Sequence, residues 1–213
     1  MNRIDDLERQ ILESAAQSPK LALMMLSLEI DRELRKLLAS TGVLRSYTSQ
    51  SLPAAIALLE ERVRMPADIK LAVSEFWSIR NAIVHAGVED ASIPLRALDY
   101  GLRILRMLRS ISRPSYIVVH ASVPLYSDMG CQNLRSDVRG VILEGRSPEG
   151  KITGTHIHPS TRQYQVGESL SWEWDYENTR GWGDTWYRDP NTQEIKHAWS
   201  DAMEFIGRPI DQV

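Results

Sequence analysis

The spacing of apolar residues changes about halfway along the chain, from a helical period to an alternating one. In the first half apolar positions recur every three or four residues, which predicts helices. These predicted helices cover residues 2–17, 21–39, 51–63, 66–87 and 93–112. In the second half short alternating or β-branched runs predict strands. These predicted strands cover residues 116–119, 138–143, 151–157, 162–166 and 170–176.

This pattern predicts an α+β protein with two domains. Residues 1–113 are expected to form an up-and-down bundle of four to five helices, because their connections are mostly short. Residues 114–213 are expected to form a small antiparallel β domain, either a sandwich or an open barrel. The composition changes at the same place: the first part holds 16 basic and 14 acidic residues, and the second holds 9 and 14.

Turn and cap residues set the limits of several predicted elements. Ser18 before Pro19 is a candidate N-cap, and Gly42 is a candidate helix end. The segments 147–150 and 189–192 have the composition of hairpin turns, Ser-Pro-Glu-Gly and Asp-Pro-Asn-Thr. The tail from 199 to 208 is expected to be a short helix or a turn that covers the sheet.

The overall composition favours a cytoplasmic protein. The net charge is only −3, which gives no general attraction to nucleic acid, and Cys131 is the single cysteine. One cysteine allows no intrachain disulfide and no cysteine-cluster zinc site, and it suggests a reducing compartment. We expect no signal peptide, no membrane-spanning segment and no cofactor.

The candidate chemistry lies near the end of the fourth predicted helix, in the run Arg80-Asn-Ala-Ile-Val-His85. Asn81 and His85 are four residues apart and share a face, whereas Arg80 lies about 140° around the axis from His85. An arginine, an amide and a histidine together can bind and cleave a phosphodiester. A cation at a helix end can also simply complement the macrodipole. Spacing leaves open whether Arg80 reaches towards His85 or pairs with an acid such as Glu75.

The order of elements around Arg80, Asn81 and His85 resembles the HEPN family, a group of helical bundles with an arginine, four to six residues and then a histidine. The resemblance covers residues 2–112 and includes the polar second residue, the late position in the bundle and the glycine, Gly87, just beyond the histidine. In one toxin branch of that family a tyrosine that a partner enzyme modifies occupies the position of Gly87. We therefore do not expect that form of control here.

The resemblance implies a metal-independent endoribonuclease that acts on single-stranded RNA as a homodimer, in stress response or defence. His85 would be the general base or acid, Arg80 would stabilise phosphoryl charge, and Asn81 would orient the phosphate or the imidazole. Other members of the family are non-catalytic modules for dimerisation or ligand binding. That alternative stays open, with the β domain recognising a protein or a small ligand.

Arginines at helical spacing in the last predicted helix form a candidate RNA-binding stripe opposite its leucines. They are Arg103, Arg106, Arg109 and Arg113. Such a stripe can also be an ordinary solvated surface. Glu29 and Glu33, four residues apart on the second helix, can line the proposed cleft or form surface ion pairs.

The second half holds two weaker candidates. His156 and His158 alternate on a predicted strand and begin a metal motif, but the glutamate that should follow is missing. A two-histidine site completed by Glu144 or His197 is the alternative, and we predict no metal site. The aromatic residues can form either a stacking platform or a core, and we expect a core for most of them. Trp182, between two glycines, is expected to be the exposed one. The aromatic residues are Trp172, Trp174, Tyr176, Trp182, Trp186, Tyr187 and Trp199.

Overall fold

The computed structural model confirms the α+β class, with helices in the first half of the chain and antiparallel sheets in the second. It describes residues 3–42, 56–57, 59–61, 63, 69–86, 92–175, 177 and 181–213, with only the backbone for 3–5, 84–86 and 92–94. The chain divides into two compact units, Met1–Leu38 with Val43–Ser112 and Ala39–Gly42 with Arg113–Val213. Among the described residues, no helix has the length and apolar content needed to cross a bilayer.

The helices of the first unit follow the predicted apolar stripes. They are α1 (Arg3–Gln17), α2 (Pro19–Thr41), α3 (Ile69–Ala86) and α4 (Ser92–Ser110), and residues 56–57 and 59–61 are also helical. The Ser18 hydroxyl accepts a hydrogen bond from the Leu21 N–H at 3.3 Å, which confirms the N-cap of α2. Gly42 ends the same helix with φ of 78°, a conformation that favours glycine.

The core of the helical unit consists of aliphatic side chains and Phe76, which is fully buried on α3. Gly101 on α4 lies so close to this ring that a Cβ atom there would be 2.5 Å from Phe76 and 2.6 Å from Leu26. The glycine therefore permits close packing of α4 against α3. The predicted ends of the α3 segment, Pro66 and Gly87, lie outside the described residues, as does most of the predicted helix 51–63.

The second unit contains two antiparallel sheets. Their strands are β1 (Ser115–Val123), β2 (Leu125–Tyr126), β3 (Arg139–Arg146), β4 (Ile152–Ser160), β5 (Ser169–Leu170), β6 (Thr185–Arg188) and β7 (Ile195–Trp199). The first sheet has the order β4-β3-β1-β5, and the second has the order β2-β6-β7. Val118 pairs with Leu143 across β1 and β3, and Leu143 pairs with His156 across β3 and β4.

Both predicted hairpin turns are confirmed. The Ser147 N–H bonds the Lys151 carbonyl at 2.8 Å between β3 and β4, and Gly150 has φ of 80°. Between β6 and β7 the Asp189 carboxylate accepts hydrogen bonds from the N–H groups of Asn191 at 2.8 Å and Thr192 at 3.1 Å. A side chain that bonds its own turn in this way stabilises the reversal.

The predicted strand 162–166 and the predicted form of the tail are wrong, and the predicted strand 170–176 is confirmed only in part. Residues 162–166 lead into a turn in which Gly167 has φ of 91°, so no ladder forms there. Within 170–176 only Leu170 belongs to a strand, β5, and Tyr176 lies outside the described residues. The residues between them pair with the tail: the Ile206 N–H donates to the Glu173 carbonyl at 3.0 Å, and Trp174 forms an isolated antiparallel bridge with Phe205. The tail is therefore extended rather than helical, and only Ile210–Gln212 forms a short 3₁₀ helix.

Candidate functional site

The candidate motif lies in the last two turns of α3, which is a regular helix through Ala86. Arg80 is four residues after Phe76 and three before Ile83, both of which are buried, so its backbone lies in the inward stripe of the helix. Asn81 lies on the opposite side with Ser74 and Ser78, and these three side chains are exposed. The motif therefore begins at the border between core and solvent.

The arm of Arg80 extends from the inward stripe to the exposed face. Its Nη1 donates a hydrogen bond to Asn81 Oδ1 at 2.8 Å, while its Nε is buried without a partner. In the described part of the chain no carboxylate lies within ion-pair distance of Arg80. Glu75, the acid considered from the sequence, instead accepts a hydrogen bond from the Tyr100 hydroxyl at 3.1 Å. The guanidinium is thus held at the amide.

The third residue of the motif, His85, has a described backbone within α3. It follows Asn81 by one helical turn, so the two positions share a face. Its side chain lies outside the described residues. The structure therefore joins Arg80 and Asn81 by a direct hydrogen bond, and the helix backbone places His85 one turn after Asn81 on the same face.

The candidate RNA-binding arginines have different surroundings. Arg103 is exposed and pairs with Asp99 at 2.9 Å. Arg106 is also exposed and binds Glu8 with two nitrogens, which raises the pKa of the guanidinium. The Arg109 side chain is only 14% exposed. Arg113 is half-buried and already interacts with other groups of the protein. The stripe is therefore not a uniform row of solvated cations.

Arg109 is the centre of a buried charge network that the sequence did not predict. Its Nη2 is 3.1 Å from Glu29, its Nη1 is 3.8 Å from Glu8, and its Nε is 4.0 Å from Glu33. Glu29 and Glu33 do form ion pairs, but the expectation that they are surface acids is wrong, since they are 9% and 5% exposed. A buried cation needs such partners.

The histidine pair on β4 is divided between solvent and core. His156 is exposed, whereas the ring of His158 lies between aromatic rings, with centroids 5.2 Å from Trp174 and 5.5 Å from Trp172. Burial, with a smaller effect of His156, lowers the pKa of His158 to about 4. Among the described residues, no group of three or more potential metal ligands is present.

The aromatic residues of the second unit mainly form cores. Trp172 and Trp174 pack against the cluster of Val118, Val141, Leu143, Leu170 and Phe205. The expectation that Trp182 is exposed is wrong: it is 5% exposed and packs with Leu125, Val138 and Trp199. The Arg135 guanidinium donates a hydrogen bond to the Trp182 carbonyl. Tyr176 lies outside the described residues.

Comparisons with protein-family models, with curated proteins and with solved structures found no match for this chain. The resemblance to the HEPN family therefore depends on the sequence motif and its position in the bundle.

Proposed function

We propose that the protein is a metal-independent endoribonuclease of HEPN type that cleaves single-stranded RNA. The observation that supports this most is the 2.8 Å hydrogen bond from Arg80 to Asn81 on the exposed side of α3. This bond brings a guanidinium from the inward stripe to the face that His85 shares. A cation, an amide and an imidazole at one helix end are the groups that a phosphodiester substrate requires.

The proposed reaction uses the 2′-hydroxyl of the substrate as the nucleophile. Its oxygen attacks the adjacent phosphorus and the bond to the 5′-oxygen breaks, which leaves a 2′,3′-cyclic phosphate and a 5′-hydroxyl. His85 accepts the proton of the 2′-hydroxyl in one copy of the site, or returns a proton to the leaving oxygen. A histidine exchanges protons near neutral pH, which suits both roles.

Arg80 and Asn81 have supporting roles in this proposal. The guanidinium stabilises the negative charge that grows on the phosphoryl oxygens, because Arg presents a planar fork of donors to an oxyanion. The Asn81 amide holds the guanidinium in place and orients the phosphate. No step requires a metal ion.

The resemblance further implies that two copies of the bundle form the working cleft, so we propose a homodimer. Arg103 and Arg106 are the arginines we assign to RNA phosphates, since their side chains are 68% and 60% exposed and can exchange a carboxylate for a phosphate. Arg109 is excluded from this role by its burial among three acids. We place the activity in the cytoplasm, in stress response or defence.

Cleavage of single-stranded RNA in EDTA tests the proposal. We expect His85→Ala to lower the rate by at least about 10²-fold, since this is the usual contribution of a general acid or base. Arg80→Ala is expected to cost about the same, because it removes preorganised charge stabilisation. The matched control is Arg9→Ala, which removes an exposed cation paired with Asp6 elsewhere in the same unit and should leave the rate unchanged.

Two results would contradict the nuclease proposal. One is wild-type protein that cuts no RNA in a varied panel at high concentration, which would favour the non-catalytic module. The other is a nuclease activity that persists unchanged in both His85→Ala and Arg80→Ala. Circular dichroism on each variant establishes that a lost activity is not a lost fold.

A further inference from the structure

A cleft of about 390 Å³ opens in the second unit where β1 ends and β2 begins. This volume falls in the range of sites for small molecules. Polar side chains reach it from four parts of the chain: His120 and Ser122 from β1, Tyr126 from β2, Arg188 from β6 and Gln193 from the turn before β7. Val166 and two prolines supply an apolar part of the wall.

Three of the five polar side chains at this cleft have no protein partner among the described residues, whereas the Gln193 Nε2 donates to the Pro190 carbonyl at 3.0 Å. Among the described residues, the side chains of His120, Ser122 and Tyr126 make no hydrogen bond to protein. The Arg188 Nη1 donates to the Gln193 carbonyl at 3.1 Å, and no described carboxylate pairs with this guanidinium. This cleft therefore offers donors and one cation to a ligand, in a half of the chain that has 9 basic and 14 acidic residues.

Two backbone irregularities occur at the same cleft. The ladder between β1 and β3 shifts register on both sides of His120, between Val118 and His120 and again before Val123. Such bulges redirect side chains and are common beside binding sites. Gln193 has φ of 62°, an unfavourable conformation for a residue other than glycine. In this conformation the Gln193 N–H donates to the Asp189 carbonyl at 2.8 Å and closes the turn beside the cleft.

We propose that this cleft binds a small molecule with one phosphate or carboxylate group on an apolar body. The oxyanion binds the fork of Arg188, with His120, Ser122 and Tyr126 as additional donors. The apolar body packs against Val166 and the ring of Tyr126. The proposal goes beyond the proposed nuclease activity and does not depend on it, because none of these residues belongs to the helical unit.

The test measures binding of phenyl phosphate and of benzoate to the full chain by NMR chemical shifts, with inorganic phosphate as a third ligand. We expect saturable shifts with at least one of the two organic probes, and the comparison between them distinguishes phosphate from carboxylate recognition. Inorganic phosphate is expected to bind more weakly than phenyl phosphate, because it lacks the apolar body. Arg188→Gln should weaken binding at least about tenfold, as expected for loss of a charge-assisted hydrogen bond.

Lys151→Gln is the matched control, since it removes one positive charge at the exposed β3–β4 turn of the same unit. It should bind the probes as the wild type does. Absence of saturable binding of both organic probes at about 10 mM would overturn the proposal, since this exceeds the dissociation constant of a weak ligand tenfold. Equal losses in Arg188→Gln and Lys151→Gln would also overturn it. If Arg188→Gln does not fold, probe binding is compared between the wild type and the variants Tyr126→Phe and His120→Gln. Each of these should bind the probes more weakly than the wild type does.

Discussion

At the scale of single residues, His158 shows how its surroundings determine protonation. Its ring lies between those of Trp174 and Phe205, with centroids 5.2 Å and 5.6 Å away. An imidazolium in such a site loses hydration, and no carboxylate in the described part of the chain pairs with it, so burial lowers the pKa of His158 from 6.5 to about 4. The neutral ring is therefore the form that packs with this cluster.

The depressed pKa of His158 predicts a loss of stability in mild acid. Above pH 6.5 the imidazole is neutral in both the folded and the unfolded chain. Between pH 6.5 and about 4 only the unfolded chain takes up the proton, so the free energy of unfolding falls by about 1.4 kcal/mol per pH unit, about 3 kcal/mol in total. Below pH 4 this contribution is constant. Urea unfolding at pH 7 and pH 4.5 measures it.

His158→Gln removes this titration and should flatten the pH dependence by about that amount relative to the wild type. The control is His156→Gln, because His156 is exposed on the same strand and affects the pKa of His158 less than burial does. An equally steep pH dependence in wild type and His158→Gln would contradict the assignment. Carboxylates that titrate in the same pH range contribute equally to both proteins, so their contribution cancels when the two pH dependences are compared.

Arg80 also illustrates what could and could not be predicted at this scale. The sequence identified Arg80 and Asn81 as candidates, and helical periodicity placed Arg80 about 140° from His85. It could not decide the partner of the arginine, because a long flexible side chain reaches several neighbours. The structure assigns that partner as Asn81 rather than Glu75.

At the scale of elements, the charge network around Arg109 joins three helices of the first unit. Glu8 lies on α1, Glu29 and Glu33 lie on α2, and Arg109 lies on α4. Periodicity placed each residue on its helix correctly, but the partners are as much as 101 positions apart in the sequence. Charged residues are read as surface by default, so only helix packing could reveal that these are buried.

Removal of the central cation should destabilise the helical unit. We expect Arg109→Ala to lower the free energy of unfolding by about 3 kcal/mol, because it leaves buried carboxylates without this partner. Arg103→Ala, which removes an exposed pair with Asp99, should cost less than about 1 kcal/mol. Chemical denaturation of both variants measures the difference. Equal and small effects would mean that the network contributes little to stability.

The strands were predicted correctly where the residue types of the strand and its turn favour the strand pairing that the structure has. The segments of β1, β3 and β4 contain β-branched residues, the Ser-Pro-Glu-Gly turn lies between β3 and β4, and all of these were found. The predicted strand 170–176 is confirmed only at Leu170, because the backbone groups after it bond the tail, for example the Asp175 N–H to the Glu204 carbonyl at 2.9 Å. A short run cannot show which distant segment will satisfy its hydrogen bonds.

At the scale of the whole molecule, the change of apolar period near residue 113 predicted the α+β class because helices and strands have different repeats. The cleft lined by His120 and Arg188 was not predicted. Its residues come from separate strands, and the register shift at His120 leaves no signal in the sequence. The chain thus has a candidate catalytic motif in one unit and a candidate ligand cleft in the other.

The proposed chemistry requires a 2′-hydroxyl and no metal, and the ends of the reaction products test both requirements together. One single-stranded oligonucleotide is prepared as RNA and as its fully 2′-O-methylated form, and each is incubated with the protein in EDTA. We predict that mass spectrometry will find 2′,3′-cyclic phosphate and 5′-hydroxyl ends from the RNA and an intact methylated strand. Cleavage of both strands, or products with 5′-phosphate ends, would contradict the account.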